Sequence, residues 1–183
     1  ALQTFNELFG GYPYTTLKVV EASFVHDGME FPNLVLISDS LYSYETYLAV
    51  IVHEIAHQWW YGLVGNDQYN YGWLDEGLAE FSTALFYEKN SEYNLNKGQM
   101  TLRNQSNYNI FKKIYTDVLG SGDTKFNRAL DEFANEQEYV YTAYVKAYLI
   151  HDTLYELLGE KTYLKCLKRY FNENQFKLAT PEN

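Results

Sequence analysis

The chain has 183 residues, 46% hydrophobic and 21% charged, which is enough to bury one core and carries no composition of a disordered or repetitive protein. A formal net charge of -10 argues against nucleic acid as a partner. Nineteen tyrosines stand against three prolines, supplying amphipathic surface for clefts or half-buried helix faces, and no apolar run reaches the length of a membrane span.

Leu2, Phe5, Leu8 and Phe9 recur at helical spacing, and Gly10-Gly11 ends that first helix. A β portion follows: Thr15 to Val25 is rich in β-branched residues, and Leu34-Val35-Leu36-Ile37 reads as a strand after the turn signal Phe31-Pro32-Asn33. Pro32 has no backbone donor, so Gly28 to Phe31 reads as an irregular or edge segment whose backbone is free to pair with a bound peptide. From Ser43 onward the pattern is helical, over 44–62, 73–90, 94–116, 137–158 and 160–172. Asp117 to Asp123, with Gly120 and Gly122, reads as a loop between two helical layers. Cys166 is the only cysteine, which excludes an intramolecular disulfide, and it is expected as a buried thiol on the last helix. Thr180-Pro181-Glu182-Asn183 is a helix-start signal. Together with Ala1 at the first position, it reads as the edge of a domain cut from a longer protein, and the compartment stays undetermined. The expected fold is α+β, one domain over 1–183, with a small N-terminal mixed sheet followed by a mainly helical lobe and a cleft at their junction.

Chemistry concentrates in His53-Glu54-Ile55-Ala56-His57. Residues four apart share a helix face, so His53 and His57 can present two imidazole nitrogens to one metal ion, while Glu54 is placed to take a proton from a zinc-activated water. Eighteen residues, 58 to 75, separate His57 from Glu76 in Trp73-Leu74-Asp75-Glu76-Gly77. That is enough chain to finish the helix, cross a loop and begin a second helix that brings Glu76 in as third ligand. Two His and one Glu leave an open position, the mark of a catalytic rather than structural zinc site. Apolar Val50-Ile51-Val52 and Ile55-Ala56 bury this helix, and a buried Glu between two His needs a partner.

These two segments, extended through Gln58-Trp59-Trp60 and through Leu78-Ala79-Glu80-Phe81, resemble the gluzincin aminopeptidases related to aminopeptidase N and leukotriene A hydrolase. The interval to the third ligand fits that family better than the thermolysin family. Gly10-Gly11-Tyr12-Pro13-Tyr14 resembles a segment near the start of the family's thermolysin-like catalytic domain. Gly28-Met29-Glu30 resembles its exopeptidase motif, although Phe31-Pro32 follows where the family has Asn, and Tyr144-Val145-Lys146-Ala147 resembles its catalytic tyrosine segment, with Ala147 in place of Gly. The resemblance implies one Zn2+ per chain on His53, His57 and Glu76, with Glu54 as base and Tyr144 as hydrogen-bond donor to the tetrahedral oxyanion. Gly28, Met29 and Glu30 are then substrate-binding residues, with Glu30 holding the α-ammonium of a peptide with a free N-terminus. It also implies flanking domains in the parent chain. Asp75 and Glu80 read either as carboxylates that orient the metal-bound imidazoles or as ordinary helix charges, and His26 and His151 as non-catalytic. The expected activity is removal of N-terminal residues from peptides. A metalloendopeptidase with the same core, and a non-catalytic peptide-binding or scaffold domain, remain as alternatives.

Overall fold

The computed structural model describes residues 1–120 and 122–183. Helix α1 (Leu2–Leu8) leads into strands β1 (Lys18–Ala22), β2 (Gly28–Met29) and β3 (Leu34–Ser38). β3 is the middle strand, parallel to β1 from the Lys18–Leu34 pair to the Ala22–Ser38 pair, and antiparallel to β2 through Gly28–Ile37 and Met29–Leu36. The sheet is therefore small and mixed, and β2 is its edge, as Pro32 implied. Val35 and Ile37 alternate into the core, the period-2 pattern of a strand with one covered face.

Helix α2 (Tyr44–Ala56) starts at Ser43, whose side chain accepts from the Thr46 amide at 3.1 Å. After β4 (Val64–Asn66) and the short α3 (Gln68–Tyr71) comes α4 (Trp73–Lys89), the central helix, which packs against α2 and is buried almost all round from Asp75 to Tyr87. Helix α5 (Lys97–Phe111) begins at an Asn96–Gln99 capping box and continues as a π-helical stretch, Lys112–Val118. Helix α6 (Glu136–Tyr139) runs through a second π-helical stretch, Val140–Lys146, into α7 (Ala147–Leu158). Helix α8 (Glu160–Asn174) and β5 (Lys177–Ala179) close the chain.

Four expectations need correction. The helix expected over 44–62 stops at Ala56, and the chain then folds into tight turns, with Gly62 N donating to His57 O at 2.8 Å and Val64 N to Trp59 O at 2.9 Å. The expected 117–123 loop begins inside the first π-helical stretch, which ends at Val118; Ser121 lies outside the described residues. The region from Ser43 onward, expected to be helical, also holds β4 and β5, which pair in parallel through Val64–Lys177 to Asn66–Ala179, and a turn at Pro181 and Glu182 follows β5. Three-residue strands carry too short an alternation to read in sequence. Cys166 is exposed rather than buried, because Tyr163, Leu167 and Phe171 form the covered stripe of α8 and residue 166 falls beside it.

Tyr87, Tyr148 and Tyr163 are buried in the core, and Tyr12, Tyr155 and Tyr170 pack against it. Phe81 on α4 lies 5.3–5.7 Å from the rings of Tyr148, Tyr155 and Tyr163. Polar ties lock the lobe: Lys97 Nζ reaches Asp152 at 2.6 Å and Glu156 at 2.8 Å, joining α5 to α7. Among the described residues no helix is long and apolar enough to cross a membrane.

The approach of α4 to α7 depends on Gly77, since a Cβ there would lie 2.5 Å from the Ala147 Cβ. Gly77→Ala is therefore expected to cost about 1–3 kcal/mol by overpacking. Ala147→Gly in the same chain should recover much of that loss, because the methyl in the way is its own. Thermal melts of the two single variants and the double variant check this; additive losses would show that the helices are not held at this contact.

Candidate metal centre

Helices α2 and α4 bring His53, His57 and Glu76 together. His57 Nε2 lies 3.0 Å from His53 Nε2, and each of these nitrogens lies 3.2 Å from Glu76 Oε2. These are the separations of a ligand set: donors roughly 2.0–2.1 Å from one tetrahedral ion sit about 3.3 Å apart. They form the metal-capable group found among the described residues. The tautomers fit as well. His57 Nδ1 donates to the Trp60 carbonyl at 3.0 Å, which leaves its Nε2 lone pair facing the centre. This contact follows from the early end of α2: in a helix continuing to residue 62, the Trp60 carbonyl would point along the axis and could not meet a ring on the preceding turn.

Electrostatics reinforce the geometry. Burial alone would push both imidazoles down, but Glu76, joined at His53 by Glu80 and Glu54, outweighs it, holding His57 up at about 9 and His53 well above its ordinary value. Burial would raise Glu76, yet the two histidines hold it below the carboxylate range. Two imidazoles and one carboxylate thus share a buried site where a cation is welcome.

Glu54, on the same turn, is raised to about 7, chiefly by burial against the opposing pull of His53 and His57. Its Oε2 is buried with no hydrogen-bond partner among the described residues. An orphaned carboxylate oxygen next to three convergent donors is the arrangement that a bound water and metal would satisfy. Gly28 on β2 backs directly onto this group: a Cβ at Gly28 would lie 2.2 Å from Glu54 Oε1. The glycine is required there by close approach.

Tyr144 sits in the second π-helical stretch, a local widening of the helix that re-aims side chains. Thr142 Oγ1 donates to the Glu138 carbonyl at 2.7 Å, competing for a backbone acceptor of the preceding turn. Tyr144 Oη donates to Glu76 Oε1 at 2.5 Å, and its ring stacks 6.0 Å from His53. Burial first, then the Glu76 charge, pushes the phenol well above its ordinary pKa, so it stays a donor. Tyr139, a neighbour at 5.5 Å, places its hydroxyl beside Gly72 and near the Tyr144 phenol, and burial, then the charges of Glu76, Asp75 and Glu30, hold it far above its ordinary pKa.

Glu30 is 7% exposed, on the segment that leaves β2. Gln58, the residue after His57, pins this segment: its Nε2 donates to the Glu30 and Phe31 carbonyls at 3.4 and 3.3 Å, and its Oε1 accepts from Asn33 N at 2.8 Å. The Glu30 charge is among those that push Glu54 upward. Met29 is half-buried beside it. The structure therefore brings all eight expected site residues to one region. Asp75 is buried, accepts from Asn66 Nδ2 at 2.9 Å, and stands 4.0 Å from His57 Nδ1, too far for the hydrogen bond that Trp60 makes instead. Glu80 Oε1 is 3.2 Å from His53 Nδ1 but off the hydrogen-bond axis. His26 is exposed, and His151 faces Tyr163 in the core, where burial lowers it to about 4. Sequence reasoning missed Gln58, Asn66 and Gln68; only Gln58, adjacent to a ligand, carried a signal in its position.

The whole chain, residues 1–183, matches the peptidase family M1 domain. Mouse (Mus musculus) aminopeptidase B is 30% identical over 195 residues, covering 100% of this chain and 28% of the relative. Endoplasmic reticulum aminopeptidase 2 from Bos taurus is 26% identical over 71% of this chain and 13% of its own. Native leukotriene A4 hydrolase from Saccharomyces cerevisiae shares the fold, with TM-score 0.73 and 20% identity over 99% of this chain and 29% of its own. The chain thus spans under a third of the length of these relatives.

Elemental analysis should find one divalent transition-metal ion per chain. Glu54→Gln is expected to retain it, and Glu76→Ala to weaken it by more than the roughly 10–100-fold that even outer-shell partners cost. Loss of metal from Glu54→Gln would make Glu54 a ligand and contradict this arrangement.

Proposed function

The chain belongs to peptidase family M1, and from that membership and the geometry of its metal-capable group we propose that it is the catalytic domain of a zinc aminopeptidase, hydrolysing the first peptide bond of substrates with a free N-terminus. One observation carries the reading: Glu30 is buried on the edge of the sheet in the same region as His53, His57 and Glu76, with Gly28 against the Glu54 carboxylate. Metal chemistry alone would serve an endopeptidase equally well. A buried carboxylate at a fixed place beside it acts as a ruler, because an ammonium held there lets only the first carbonyl reach the reacting centre.

The donor set of two imidazoles and one carboxylate suits zinc. Bound there, zinc would supply Lewis acidity, polarising the scissile carbonyl and making a water nucleophilic near neutral pH. His53, His57 and Glu76 would hold it, with the Trp60 carbonyl fixing the His57 tautomer.

The remaining work belongs to the chain. Glu54, raised to about 7, can accept the proton of the attacking water and return it to the leaving amine. Its freedom from any protein hydrogen bond at Oε2 suits that exchange. Tyr144, kept protonated by burial and the Glu76 charge, would turn its donor from Glu76 to the developing oxyanion. The edge of β2 offers unpaired backbone to align an extended peptide, and Glu30 receives the ammonium.

Glu54→Gln is expected to cut kcat by about 10²–10⁴-fold with little change in KM, since it keeps shape and loses the base. Glu30→Ala in the full protein should weaken free-amine substrates by roughly 1.5–3 kcal/mol, tenfold or more. N-acetylated peptides have no ammonium to lose and should be cleaved as poorly as before. Parallel assays with aminoacyl naphthylamides and N-acetyl peptides check this; an equal loss on both would remove the amine-reading role and favour the endopeptidase.

A further inference from the structure

Gln68, the first residue of α3, lies in none of the motifs that mark the site, yet its amide nitrogen touches two of the site's carboxylates. Nε2 donates to Glu30 Oε1 at 2.7 Å and to Asp75 Oδ2 at 2.8 Å. Together the two bonds use both protons of the amide. Asp75 is itself fixed by Asn66 through its other oxygen and stands beside His57. Among the described residues Gln68 is the side chain that donates to the Glu30 carboxylate.

A glutamate has three rotatable bonds, and Glu30 lies among the carboxyl groups of Glu54 and Asp75, with which it cannot pair unless a proton is shared. Left unheld, its carboxylate would have no fixed place at the site. A donor is needed, and the type matters. A lysine or arginine would neutralise Glu30 and occupy the place of a substrate ammonium, whereas a neutral amide restrains one oxygen and leaves the net charge available.

We propose that Gln68 is a positioning residue for the amine anchor, holding Glu30 Oε1 against Asp75 so that Oε2 is presented to the substrate α-ammonium at a set distance from the metal-binding group. The proposal rests on the aminopeptidase reading and deepens it. Gln68 touches no reacting atom; it sets where the first residue of the peptide begins, and through Asp75 it joins that point to the frame around His57.

The test uses the full protein in a Glu54→Gln background, so that ligands bind without turnover. Calorimetry compares a dipeptide amide bearing a free amine with its N-acetylated counterpart, and metal content is measured on each variant. Gln68→Leu is expected to weaken the free-amine ligand about tenfold, the scale of a charge-assisted contact, while the N-acetyl ligand and the metal content stay unchanged. With Glu54 intact, the same substitution should raise KM for aminoacyl naphthylamides more than it lowers kcat. Gln68→Lys provides a second variant, carrying its own ammonium to Glu30, and should lower free-amine affinity at least as far. Free-amine affinity within twofold of the parent in both variants, with Glu30→Ala still discriminating, would overturn the role of Gln68 and leave the aminopeptidase reading standing. Failure of Glu30→Ala to discriminate would overturn that reading itself. Equal loss of both ligands, or loss of metal, would make Gln68 a support of the metal frame and overturn the proposal.

Discussion

Two imidazole nitrogens and a carboxylate oxygen, buried and within 3.0–3.2 Å of one another, are the constraint around which this protein is arranged. Such a cluster is costly to bury, because its polar atoms lose water and gain only one another. It persists because α2 and α4 cross closely, supported by the Gly77–Ala147 contact behind α4 and by the aromatic packing of Phe81. The Trp60 carbonyl fixes one ring, and Tyr144 takes the second oxygen of Glu76. Two backbone irregularities near the site serve this cluster: the early end of α2 supplies a carbonyl, and the π-helical stretch supplies a phenol.

Around the cluster stand Glu30, Glu54, Asp75 and Glu80. With Glu76 they make a chamber rich in carboxyl groups, two of which, Glu54 and Asp75, burial raises to about 7, and on the proposed reading two kinds of cation suit it. A divalent metal fits the convergent donors, and an ammonium fits the carboxylate on the sheet edge. Under the proposed function, the spacing between those two places, set by β2, by Gln58 and by Gly28 lying on Glu54, would turn general hydrolytic chemistry into selection for a chain terminus.

Long periodic segments were legible in sequence: α4 was expected over 73–90 and runs Trp73–Lys89, and the edge position of Gly28-Met29 followed from Pro32. So was the meeting of His53, His57 and Glu76, because i,i+4 spacing puts both imidazoles on one helix face and the intervening chain is long enough to bring in Glu76. What could not be read has physical causes. The end of α2 is set by tertiary turns rather than by a proline or a helix-stopping pattern at residue 57, so apolar periodicity carried the expectation six residues too far. Strands β4 and β5 exist by pairing with each other across the sequence, with no alternation long enough to announce them. Gln68 carried no sequence signal, since its meaning lies wholly in two partners, Glu30 and Asp75, that only the fold brings to it.

The account turns on His53, His57 and Glu76 sharing one ion, and X-ray absorption at the zinc edge of the zinc-loaded full protein tests that most directly. The predicted spectrum shows two imidazoles and oxygen scatterers at about 2.0–2.2 Å, with no sulfur, and it loses its carboxylate contribution in Glu76→Ala. A sulfur shell near 2.3 Å, which would implicate the exposed Cys166, or a single imidazole, would contradict it.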